Sequence, residues 1–71
     1  MSENKADFTA ELGALLAKYS REDIAALTYH MDDDGFEAVT IRFGNDYEKT
    51  VNVTCDSVIA IMTDVYKALA R

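Results

Sequence analysis

The spacing of apolar residues changes character along this chain. From residue 7 the set Phe8, Leu12, Leu15, Leu16 and Tyr19 recurs at intervals of three and four, which at 100° per residue gathers it on one side of a helix. Asp7 stands where a cap is expected and Ser20 near the stop. Ala10, Gly13, Ala14 and Ala17 fall opposite the leucine stripe, with Glu11 and Lys18 at its edge. Such a small-residue back lets another backbone come close. Helix propensity accounts for the alanines but not for Gly13, since a mid-helix glycine costs about 1 kcal/mol relative to alanine.

After a short polar link, Arg21-Glu22-Asp23, the rhythm becomes two. Over Ile24 to Met31, Ala25, Leu27, Tyr29 and Met31 oppose Ala26, Thr28 and His30. Over Phe36 to Phe43, Val39, Ile41 and Phe43 oppose Ala38, Thr40 and Arg42. From Tyr47, the set Tyr47, Lys49, Val51 and Val53 opposes Glu48, Thr50, Asn52 and Thr54. At Thr54 to Ser57 the helical period returns: Val58, Met62, Val65 and Leu69 form a stripe flanked by Ile61, Ala68 and Tyr66. Asp64, Lys67 and Arg71 lie on the far side, and Thr54 or Asp56 serves as cap.

The strand register follows from parity. If the apolar sides share one face, paired residue numbers in the first hairpin sum to an even value, which selects the loop Asp33-Asp34-Gly35 closed by Asp32 and Phe36 and puts glycine at the left-handed position. The same argument selects Gly44-Asn45-Asp46, closed by Phe43 and Tyr47. Thr28, Thr40 and Thr50 then align in one row, His30 falls in the row of Ala38 and Asn52, and Arg42 faces Glu48. The inner face of Leu27, Tyr29, Val39, Ile41, Val51 and Val53 needs a cover, and two amphipathic helices can supply it. The expected fold is α+β, in the order α-β-β-β-α: a three-stranded antiparallel meander with both helices on one face. Residues 1–6 form a flexible N-terminus and residues 7–71 one domain.

That order and length resemble the double-stranded-RNA-binding domain. The resemblance covers Asp7 to Arg71 and is topological. Where that family opens its second helix with a lysine cluster, this chain has Cys55-Asp56-Ser57-Val58-Ile59, and the loop that enters the RNA minor groove is here Asp32-Asp33-Asp34-Gly35. Phosphates repel a triple aspartate.

Charge strengthens that objection. Thirteen acids against seven scattered bases give a formal net charge of −6, a field that a phosphate backbone avoids. No apolar run reaches the ~20 residues of a membrane span, no leader opens the chain, and the single Cys55 excludes an intramolecular disulfide. A cytoplasmic protein is expected. Asn52-Val53-Thr54 matches a glycosylation sequon, which without a leader reads as a strand with a polar outer face.

Little in the sequence promises catalysis. His30 is the only histidine and reads as an exposed strand residue able to turn toward Asp32. Cys55 is the only cysteine; at a strand-to-helix junction a thiol can be activated, but a free cysteine is more commonly packed inside. His30 with Asp32 to Asp34 does not fit a calcium loop, because with Gly35 in the glycine position Ile41 stands where the bidentate glutamate belongs. No catalytic, metal or cofactor residues are therefore assigned.

The expectation is a small, acidic, non-enzymatic protein-interaction or accessory module, with a second copy as the simplest partner because a chain this short buries only about 60% of its unfolded surface. The candidate surfaces are the open sheet face, with Ala26, Thr28, His30, Phe36, Thr40 and Arg42, the small face of the first helix, with Gly13 and Ala17, and the edge strands. An acidic decoy that occupies the nucleic-acid site of another protein is the alternative. A double-stranded-RNA binder comes third.

Overall fold

The computed structural model describes residues 4–19 and 23–70. Residues 1–3 of the expected flexible N-terminus, the expected stop at Ser20, Arg21 and Glu22 of the link, and Arg71 lie outside them, while Lys5 and Ala6, expected in that terminus, are helical. Helix α1 spans Lys5–Tyr19. It starts earlier than expected because Asn4, not Asp7, is the cap: the Asn4 side-chain carbonyl accepts the Asp7 amide at 3.0 Å. Asp7 instead sits in the first turn, where its charge favours the positive end of the helix dipole.

Strands β1 (Ile24–Met31), β2 (Glu37–Phe43) and β3 (Glu48–Asn52) form an antiparallel sheet in the order β1-β2-β3, and α2 (Val58–Ala70) closes the chain. The α-β-β-β-α meander is thus the fold, in the expected register: Thr28 pairs with Thr40 and Thr40 with Thr50, while Arg42 stands opposite Glu48. Both turns have physical causes. The Asp32 carboxylate accepts the amides of Asp34 and Phe36 at 2.9 and 3.0 Å, and Gly35 takes φ +88°. In the second turn the left-handed residue is Asp46, at φ 71°. Gly44 donates its amide to the Asp23 carbonyl at 2.8 Å, and a β-carbon there would meet only the end of the exposed Asp23 side chain, which can turn aside.

One stretch of β1 departs from strict alternation. Ile24 pairs with Phe43 and Ala26 with Arg42, leaving Ala25 as the extra residue of a bulge. Ala25, expected inside, is exposed, and Ile24 is buried in its place. The larger side chain decides the matter, since burying an isoleucine gains about 1.5–3 kcal/mol and a methyl group far less.

The core joins Leu12 and Leu16 of α1, Ile24, Leu27, Val39, Ile41 and Val53 of the sheet layer, and Ile61 and Val65 of α2. The inward stripe of α2 is rotated from the expected one: Ile61 and Val65 are fully buried, Val58, Met62 and Leu69 half-buried, and Tyr66 exposed. Its cap is Ser57, whose hydroxyl accepts the Ala60 amide at 3.1 Å, rather than Thr54 or Asp56. At the other end the Lys49 ammonium donates to the Ala68 carbonyl at 2.9 Å, matching the negative end of the dipole. Met31 and Tyr47 have inward parity but lie beyond the helices' cover and are exposed.

Gly13 requires a correction. It faces inward, buried on β1, because the inward side of α1 runs through Thr9, Leu12, Gly13 and Leu16. The backbone it admits is the chain's own: a β-carbon there would lie 2.8 Å from the Leu27 amide nitrogen.

Candidate functional site

Three regions could carry a function. On the open sheet face, Ala26, Thr28, His30, Phe36 and Arg42 are exposed and Thr40 is half-buried. His30 Nε2 shares a hydrogen bond with Thr40 Oγ1 at 3.1 Å, so it turns along the sheet toward threonine and not toward Asp32. A shallow depression of about 430 Å³ brings His30, Phe36 and Asn52 together near the first turn. Phe36 is the one large apolar side chain there, and the rest of this face is small or polar, as suits the wet side of an antiparallel sheet. Gly13 is removed from the candidate surface by its burial. Ala17 remains exposed on α1.

The helical layer is different. Leu12, Leu15, Leu16 and Tyr19 of α1 and Met62 and Tyr66 of α2 line an open groove of about 470 Å³. Leu15, Tyr19, Ile59 and Tyr66 expose 55, 73, 62 and 51% of their surface. The helix geometry explains the leftover. In α1 the leucine-rich set is wider than the strip that β1 can cover, so Leu15 and Tyr19 fall on the flank. In α2, Met62, Tyr66 and Ile59 turn progressively away from the buried Ile61 and Val65. At ~150–250 Å² for a whole large side chain, the exposed parts amount to ~500 Å², the size of patch that on a monomer is often functional. This band is not among the surfaces expected from the sequence. Its signal was the breadth of the apolar set in both helices, too wide for a three-stranded sheet.

The third region is a polar node centred on Glu37. Odd parity places Glu37 beside Val39 and Ile41 on the inner face. Its carboxylate accepts from Lys5 Nζ at 2.8 Å, from the Tyr29 hydroxyl and from the Cys55 amide at 2.8 Å. The Lys5 contact, then Tyr29, then the Cys55 amide hold the Glu37 carboxyl down to about 2, and the same bond to Glu37, followed by burial, raises the Tyr29 phenol. Thr54 Oγ1 accepts the Glu37 amide at 2.9 Å, and the Val53 amide donates to the Glu37 carbonyl at 2.9 Å. The node ties α1, β1, β2 and the approach to α2 together.

Beside it, the Asp56 carboxyl meets that of Asp64, which packs on this flank of α2 and not on its far side. A hydrogen bond between two carboxyls requires that one keep its proton. That bond first, then burial and the charge of Asp64, push Asp56 upward. Cys55, expected to be packed, is exposed in a left-handed turn at φ 66°. Because a non-glycine residue pays for that conformation, Cys55→Gly is expected to stabilise the fold by roughly 1 kcal/mol, read as a higher urea midpoint at unchanged slope.

Among the described residues no group of three or more His, Cys, Asp and Glu side chains is arranged to hold a metal ion. No described helix is long and apolar enough to cross a membrane. Compared with known proteins, the chain matches no family model, no curated protein and no solved structure.

Proposed function

We propose that the chain is a small, acidic, non-enzymatic protein-interaction module that docks through its helical layer. The observation that carries this reading is the apolar band of Leu15, Tyr19, Ile59, Met62 and Tyr66, left open on the helical layer. The sheet face offers mainly hydroxyls and one phenylalanine, so it supplies less binding energy per unit area.

The acidic-decoy reading has less to stand on. Asp33 and Asp34 are exposed together on the hairpin tip, but Asp32 is engaged by its own turn, Glu37 is enclosed by three donors and Asp56 is paired with Asp64, so fewer carboxylates are presented than the net charge suggests. The double-stranded-RNA reading has less still, since the tip of the first hairpin presents Asp33 and Asp34 to solvent.

Capture of partners from the native cell tests the proposal. Leu15→Glu with Tyr66→Glu is expected to reduce retention of any specific partner at least tenfold, while Thr28→Glu with Thr40→Glu on the sheet leaves it unchanged. The opposite pattern would move the working surface to the sheet and refute the helical assignment.

A further inference from the structure

Building on the reading that the helical layer is the docking surface, we infer that its occupant is a second copy of the same chain, packed face to face about a two-fold axis that crosses the helices at right angles. Both helices run the same way. Lys5 at the start of α1 meets Glu37, and α2 begins just past the Val53 to Glu37 bond at that same end, while its last turn meets Lys49 at the other. Such an axis therefore sets α1 antiparallel against α1 of the second copy, and α2 against α2.

The side chains are disposed for that arrangement. On the outer side of α1 the exposed Glu11 and Lys18 lie two turns apart, on either side of Leu15. An antiparallel copy centred there sets each glutamate against the other chain's lysine. On α2, Ile59 and Tyr66 are likewise two turns apart around Met62, so the same operation lays isoleucine on tyrosine. Leu15 and Met62 line one groove from its two sides, which puts both centres at about one level, as a single axis demands. A foreign partner would place no such condition on the spacing of charges within one chain.

Area and charge agree with it. The ~500 Å² of exposed apolar side chain, with the Glu11 and Lys18 rim added, approaches the ~800 Å² per partner of a stable interface. Asp7 stands one turn before Glu11 on this side of α1, at the rim of the face; Asp32 to Asp34, Asp46 and Glu48 lie in the turns and on the sheet, outside it, so most of the repulsion between two copies acts across distances that ~0.15 M salt screens.

The test is sedimentation equilibrium of the wild type and of Glu11→Lys and Lys18→Glu, each alone and mixed in equal amounts. The wild type is expected to dimerise. Each variant alone sets like charges opposite one another and dimerises about tenfold more weakly, and the mixture recovers wild-type affinity as a heterodimer. Both substitutions are on solvent-exposed positions, and circular dichroism confirms that each variant is folded. A wild type that stays monomeric, or a dimer that neither variant weakens, would overturn the inference. The docking reading fails separately, when retention of every partner, a second copy of the chain included, is indifferent to Leu15→Glu with Tyr66→Glu.

Discussion

Gly13→Leu is expected to cost about 3 kcal/mol or more, a large part of the roughly 4–10 kcal/mol that stabilises a domain of this size. Gly13→Ala is expected to destabilise by about 1 kcal/mol or more, although alanine is the better helix former by a similar amount. The reason is the neighbour. A β-carbon at position 13 would stand 2.8 Å from the Leu27 amide nitrogen, with the Leu27 Cβ and Cγ at 3.2 and 3.3 Å. Backbone of β1 cannot rotate aside as a side-chain tip can, so α1 must lift from the sheet and loosen Leu12 and Leu16, both buried. Ala14→Leu is the control: one residue along, the side chain is exposed and the change is expected to stay within about 0.5 kcal/mol. Urea unfolding followed by circular dichroism separates the three variants. An alanine variant as stable as the wild type would mean that α1 does not approach β1 this closely.

Glu37→Gln should lower the melting temperature at pH 7 by roughly 10 °C, since an amide cannot accept from three donors and the charge opposite Lys5 is lost. The larger signature is in the pH profile. Glu37 titrates at about 2 when folded, against an ordinary value of 4.5. Its contribution is therefore complete above about 4.5 and disappears as the pH falls through about 2. Asp56 has the opposite sign: raised above its ordinary 3.8, it contributes stability that is complete below 3.8 and is lost as the pH rises through its folded value. Thermal melts between pH 2 and 7 should show Glu37→Gln flattening the acid limb of the wild type, and Asp56→Asn gaining on the wild type towards neutrality. A Glu37→Gln profile parallel to that of the wild type would show that the node does not hold the charged form.

The two designs reach different parts of the molecule. Gly13 governs how closely α1 settles on the sheet, and Glu37 ties the start of α1 to the strands and to the turn before α2. Both therefore set where Leu15 and Tyr19 stand relative to Met62 and Tyr66. A docking face built on two separate helices depends on such anchors.

Much of the architecture was legible in the residues. The period-two alternation and the parity of the turn residues were enough for the element order and the strand register, because one buried face permits only one parity. The bulge at Ala25 was not legible: alternation read alone assigns Ala25 inward, and only competition for a finite core shows that Ile24 takes its place. Gly13 was conspicuous as a glycine within a helix, yet its direction was misread, because the inward side of a helix is set by where the sheet lies and not by where the leucines are densest.

The site followed the same division. His30, Thr28, Thr40 and Arg42 stand where alternation puts them, on the open face of the sheet. The groove of Leu15, Tyr19, Met62 and Tyr66 depends on how much of each apolar stripe the sheet can cover, and a hydrophobic stripe carries no record of its own coverage. What is local can be read from the residues alone: helical and extended periods, turn chemistry, hairpin register and the −6 charge. Tertiary structure alone decided which Glu is enclosed by donors, which glycine meets a backbone and which apolar side chains remain open, because each depends on the distance between elements that are far apart along the chain.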